Sequence, residues 1–193
     1  MFILCTMFVH SLLSPDHSPS YEFQLMESFQ ERTAVCMEVA EAAQARGEDW
    51  ELMVSLAFEE SRFVPAESSA GAIGPMQILP QYFCADGADG CDLVQAGLDA
   101  WRAWLETVSE DDPSPVSTAL CRYNSGNGCT SSGRRYARRV LGRLERMRAR
   151  AASIASQLDR SDHYCFDTFT GWVEYRYSVE ASGSTCLEMA SHQ

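Results

Sequence analysis

Cysteine constrains this chain more than any other residue type. Its 193 residues hold eight, at Cys5, Cys36, Cys84, Cys91, Cys121, Cys129, Cys165 and Cys186. Cys84 with Cys91, and Cys121 with Cys129, each flank a loop rich in Gly and Asn or Asp. That spacing suits local disulfides formed in an oxidising compartment. No CxxC pair occurs, and His10, His17, His163 and His192 lie far from any cysteine-rich cluster, so a zinc site is a poor reading. Buried free thiols are the alternative. Eight cysteines allow about a hundred pairings, so the connectivity stays open.

Hydrophobic residues make up 46% of the chain, a globular composition with enough length for one domain and a small extension. The net charge of −12 argues against a general nucleic-acid binder, which needs a basic surface to neutralise phosphates. Every basic residue is Arg, and eight of the fifteen fall between Arg134 and Arg150. These charges suit either a solvated helix face or an attraction to an anionic polymer.

The run from Met1 to Val9 looks like the apolar part of a secretion signal but is too short to span a bilayer, which needs about 20 apolar residues. It has no basic start and no Ala-x-Ala cleavage site. The alternative is an N-terminal segment packed on the domain. Removal of Cys5 with a signal would leave seven cysteines and one without a mate, which counts against simple cleavage.

Ser14 to Ser20 reads as a polar linker. Apolar residues at helical intervals predict a helix from about Tyr21 to Arg46, and Gly47 closes it. Asp49 should cap a second helix that runs out near Ser61 to Phe63. Ala66 to Pro80 reads as a loop with a short element around Met76 to Leu79. A third helix spans about Leu93 to Val108, a short one Val116 to Arg122, then a loop from Asn124 to Gly133, then a long basic helix from Arg134 to Leu158. In the tail, Thr170 to Val179 alternates like a strand, stapled by Cys165 and Cys186. The boundaries follow: residues 1–20 a possible signal or N-terminal segment with linker, 21–158 a helical domain, and 159–193 a β-prone extension.

Chemistry concentrates between Ala57 and Pro80. Glu59 and Glu60 end an apolar helix, and a tight Gly loop returns the backbone to that end. Adjacent residues sit about 100° apart on a helix, so only one of the two carboxyls can face a cleft squarely. A carboxyl in such apolar surroundings should stay protonated near neutrality and suit general-acid catalysis. A solvated acidic helix end is the duller reading of the same pair.

The spacing of Glu60, Ser61, Phe63, Pro65, Ser69, Gly71, Ala72, Gly74, Met76, Gln77 and Pro80 resembles the catalytic core of the soluble lytic transglycosylases, a group related to goose-type lysozyme. Ala119 to Gly128 resembles that family's Ala-x-x-x-Tyr-Asn-x-Gly segment, Tyr136 to Val140 its Tyr-x-x-x-Val helix, and Gly97 fits the helix behind the cleft. The resemblance covers about Ala45 to Glu145. Pro75 stands where Leu is frequent, Gln81 to Cys84 replaces a Thr-Ala helix start, and Ala100-Trp101 replaces Tyr-Leu.

The resemblance implies a mainly α fold of the α+β lysozyme-like type. It implies Glu60 as the single acid/base, with Ser61, Met76 and Gln77 lining the site, Tyr123 bonding or orienting Glu60, and Asn124 shaping the substrate cleft. It implies no metal and no organic cofactor, peptidoglycan glycan strands as partner, and a periplasmic or extracellular location. The implied reaction cleaves the MurNAc–GlcNAc bond, with the muramic C6 hydroxyl closing on C1 to give a 1,6-anhydro end. One carboxyl then suffices, whereas a hydrolase of this fold would need a second acid, for which Glu67, Asp86, Asp89 and Asp92 are candidates. A non-catalytic peptidoglycan-binding or envelope-assembly module that keeps the fold is the reading from another class.

Overall fold

The computed structural model describes residues 1–10 and 28–158. The chain divides into two units, residues 1–147 and 148–193, and the described part of the second consists of the closing turns of a helix. The described residues are mainly helical, as expected. The helices are α1 (Phe2–His10), α2 (Phe29–Ala45), α3 (Trp50–Ser61), α4 (Pro80–Phe83), α5 (Leu93–Glu106), α6 (Pro115–Ser125) and α7 (Ser131–Leu158), with a 3-10 turn at Gly126–Gly128.

The helix ends follow local chemistry. The Asp49 carboxylate accepts from the Leu52 amide at 3.1 Å, and Asp92 accepts from Val94 and Gln95, so both take up amides that have no partner within the first turn. Pro80 and Pro115 open α4 and α6, where a missing N–H costs nothing. Arg62 ends α3 in the left-handed region at φ 56°.

α3 lies at the centre of the packing. Leu52 through Phe58 are all buried, and a helix apolar on every side belongs in a core. α2 packs on α3 and on α5, α1 on α2, and α6 and α4 on α5. The N-terminal segment is part of this core. Leu4, Cys5, Met7, Phe8 and Val9 are buried, and Cys5 is bonded to Cys36 of α2. The Phe8 ring meets Phe58 at 5.4 Å and Phe63 at 6.2 Å, and those two meet each other at 5.5 Å in an edge arrangement. Each such buried ring contributes roughly 1.5–3 kcal/mol through loss of exposed apolar area.

The local pairs Cys84–Cys91 and Cys121–Cys129 are both disulfides, as their spacing predicts. Three boundaries differ from the sequence expectation. The element expected around Met76 to Leu79 is a single antiparallel bridge between Ile73 and Ile78, and helix starts only at Pro80. α6 continues through Asn124 to Ser125. α7 begins at Ser131, not Arg134, because the Thr130 hydroxyl accepts from the Gly133 amide and so caps the helix three residues early. The expected helix start at Tyr21, the linker from Ser14 to Ser20, the strand from Thr170 to Val179 and the Cys165–Cys186 staple lie outside the described residues.

Candidate active site

Glu59 and Glu60 sit in the last turn of α3 and diverge as their helical spacing requires. Glu60 turns to a wall of tyrosines. The Tyr136 hydroxyl of α7 donates to Glu60 Oε1 at 2.5 Å. Burial pushes the Glu60 carboxyl up to about 7; the Glu59 charge adds to the rise, while the Tyr136 bond and the Arg139 cation oppose it. Both tyrosines near it, Tyr123 and Tyr136, are held well above their ordinary range, first by burial and then by the negative charge of Glu60. They remain donors across the working pH range.

The loop from Arg62 to Leu79 is fastened to this helix end by side chains. Ser61 Oγ donates to the carbonyl of Pro75 at 2.8 Å and lies 3.1 Å from that of Ala57, and it accepts from the Phe63 amide. Gln77 Nε2 donates to the carbonyls of Ala66 and Gly74 at 2.8 and 3.0 Å. Gln77 itself holds a left-handed conformation at φ 51°, which costs a non-Gly residue energy and persists only where the surroundings impose it. The Tyr123 hydroxyl donates to the Met76 carbonyl at 2.7 Å. Four carbonyls of one loop are thus held by three side chains.

Several residues expected along the site therefore have a different place. The hydroxyl bonded to Glu60 belongs to Tyr136, not Tyr123, which is spent on the Met76 carbonyl. The physical reason is that α6 delivers Tyr123 to the loop, while α7 passes beside the end of α3. The Met76 side chain is fully buried, packed where Gly97 leaves room on α5. A Cβ at Gly97 would lie 2.6 Å from the Met76 sulfur and 2.7 Å from its Cβ, so only glycine admits this approach. Asn124 is exposed near the end of α6.

The four candidate second acids, Glu67, Asp86, Asp89 and Asp92, are all exposed. Asp86, Asp89 and Asp92 line a cavity of about 290 Å³ at the Cys84–Cys91 loop, and Asp92 is engaged as the cap of α5. None of the four is among the groups acting on Glu60.

Two features escape the sequence reading. Tyr136 stands within the Tyr-x-x-x-Val segment, so the motif marks the residue but not its target. Glu59, read as part of an acidic helix end, is buried to 6% side-chain exposure and paired with Arg139 and, at 3.7 Å, with Arg143. Arg135, Arg138, Arg139, Arg143 and Arg146 together line a cavity of about 450 Å³. Among the described residues no group of His, Cys, Asp and Glu could hold a metal ion, and no helix is long and apolar enough to cross a membrane.

Comparison with protein families matches residues 37–143 to the transglycosylase SLT domain. No curated protein and no solved structure matches the chain.

Proposed function

The chain belongs to the transglycosylase SLT domain family, and from that premise we propose that it is a lytic transglycosylase cleaving the MurNAc–GlcNAc bond of peptidoglycan, with Glu60 as its single acid/base. The observation that carries this reading is the Glu60 carboxyl itself, held up to about 7 at the buried end of α3. A group titrating there is protonated in a useful fraction at neutrality and still basic once it has given its proton away. Glu60 protonates the glycosidic oxygen. The resulting carboxylate then takes the proton of the muramic C6 hydroxyl, whose oxygen closes on C1 to leave a 1,6-anhydro end. Tyr136 orients the carboxyl through both steps, since its bond to Oε1 is available in either protonation state.

The distribution of acids supports one carboxyl over two. Glu67, Asp86, Asp89 and Asp92 are exposed, and none is among the groups acting on Glu60, which speaks against a second acid activating a water opposite it. Ser61, Gln77 and Tyr123 serve the cleft by holding the loop that forms its wall. Asn124, exposed at the end of α6, is the side chain of the set free to meet a sugar. An envelope location, periplasmic or extracellular, accords with the substrate and with three disulfides among the described residues.

The test is mass spectrometry of soluble products from purified peptidoglycan. Muropeptides ending in 1,6-anhydromuramic acid are expected, and Glu60→Gln should release none. Reducing-end products, one water heavier, would make the enzyme a hydrolase. No product from folded wild-type protein would leave a binding module.

A further inference from the structure

We infer that Glu59 is a positioning residue for the acid/base, because its ion pairs with Arg139 and Arg143 lock the Tyr136 face of α7 against the end of α3 and fix a negative charge beside Glu60. The inference rests on the role of Glu60 proposed above.

Tyr136, Arg139 and Arg143 stand at spacings of three and four along α7 and so form one stripe. That stripe meets three consecutive residues of α3. Tyr136 bonds Glu60, Arg139 Nε bonds Glu59, and the Arg143 guanidinium stacks 4.1 Å from the Phe58 ring centre while reaching Glu59 at 3.7 Å. Arg62 covers Phe58 as well, at 4.7 Å. A solvated acidic residue would not be 6% exposed, and a merely structural one would not need the residue next to the acid.

The arrangement joins position to charge. The titratable and charged groups around Glu60 are Glu59 of its own helix, Tyr123 of α6, and Tyr136 and Arg139 of α7. Those around Glu59 are Glu60, Tyr136, Arg139 and Arg143, with Arg62 beside Arg143. Glu59 makes the proton of Glu60 harder to lose, and Arg139 makes it easier. The two charges therefore act on Glu60 in opposite senses, that of Glu59 the larger, and removing either one shifts the carboxyl in a known direction.

The experiment is the pH dependence of kcat/KM on purified peptidoglycan for wild type, Glu59→Gln, Arg139→Gln and the double variant, with the Glu60 carboxyl titration followed by NMR in each. The basic limb reports loss of the Glu60 proton. Glu59→Gln should move it down by about half a pH unit or more, Arg139→Gln should move it up, and the double variant should fall between the two. A loosened fold would lower activity at every pH and could not shift the limb in opposite directions. Limbs that stay put, or that move the same way in both single variants, overturn the inference. If Glu59→Gln does not fold, Arg139→Gln carries the test alone, since that side chain is largely exposed. The two readings fail separately. An active Glu60→Gln variant removes the function proposed for Glu60, while opposed NMR titrations would still establish the Glu59–Arg139 pair.

Discussion

Tyr136 donates a hydrogen bond to Glu60 at 2.5 Å across 76 residues of sequence, and that one contact ties the far helix of the domain to the acid. The donor keeps its proton through the working pH range, because burial and the Glu60 charge hold it well above its ordinary value. Tyr136 thus stabilises the ionised form of Glu60.

Tyr136→Phe should lower kcat by about tenfold, the magnitude expected when a hydrogen bond to a charged group is lost. The basic limb of the pH profile should move up, because the bond favours the ionised form of Glu60. Steady-state kinetics between pH 5 and 9 provides the check. An unmoved limb with full activity would assign the bond to packing alone.

Glu60 should also destabilise the fold it serves. Its carboxyl rises from 4.5 to about 7 on folding, so the folded state prefers the protonated form. The advantage is complete below the unfolded value and is lost as pH rises through about 7. Against Glu60→Gln, wild type should lose about 2–3 kcal/mol of stability between pH 4.5 and pH 8, read from urea midpoints. A gap constant with pH would contradict the assignment.

Much of this site was legible in the sequence, and the reasons for the remainder are physical. Asp49 marks a helix start because a cap acts within one turn. The loop disulfides were legible for the same reason of locality. Cys5–Cys36 was not, since pairing across 31 residues depends on how α1 docks. The target of Tyr123 also resisted, because a hydroxyl and a carbonyl 47 residues apart meet only through tertiary packing. Arg139 and Arg143 read as a solvated face, since periodicity alone gives no sign that a buried carboxylate waits opposite.

Gly97→Ala should cost about 1–3 kcal/mol, the range for a methyl forced into a filled core. The new Cβ would strike Met76 at its own Cβ, 2.7 Å away, and that atom cannot swing aside as a side-chain end could. Displacing Met76 also pulls its carbonyl from Tyr123, so activity should fall along with the thermal midpoint. Activity unchanged alongside lowered stability would separate the loop wall from catalysis.

Replacing Cys121 and Cys129 together by Ala should destabilise the domain by about 2–3 kcal/mol through the freed unfolded chain. The loop begins two residues before Tyr123 and ends two before the start of α7, so kcat should drop even where the protein is fully folded. Urea unfolding and turnover on the same preparation measure the two effects.

The Cys5–Cys36 bond gives the active site a history as well as a shape. Phe8 supplies one of the two rings packed on Phe58, which is next in the chain to Glu59, and α1 reaches that place under a covalent tether. The apolar bed beside Glu59 is therefore held by a covalent bond as well as by packing. Reduction would open the tether. Phe8 would then be held against Phe58 and Phe63 by packing alone.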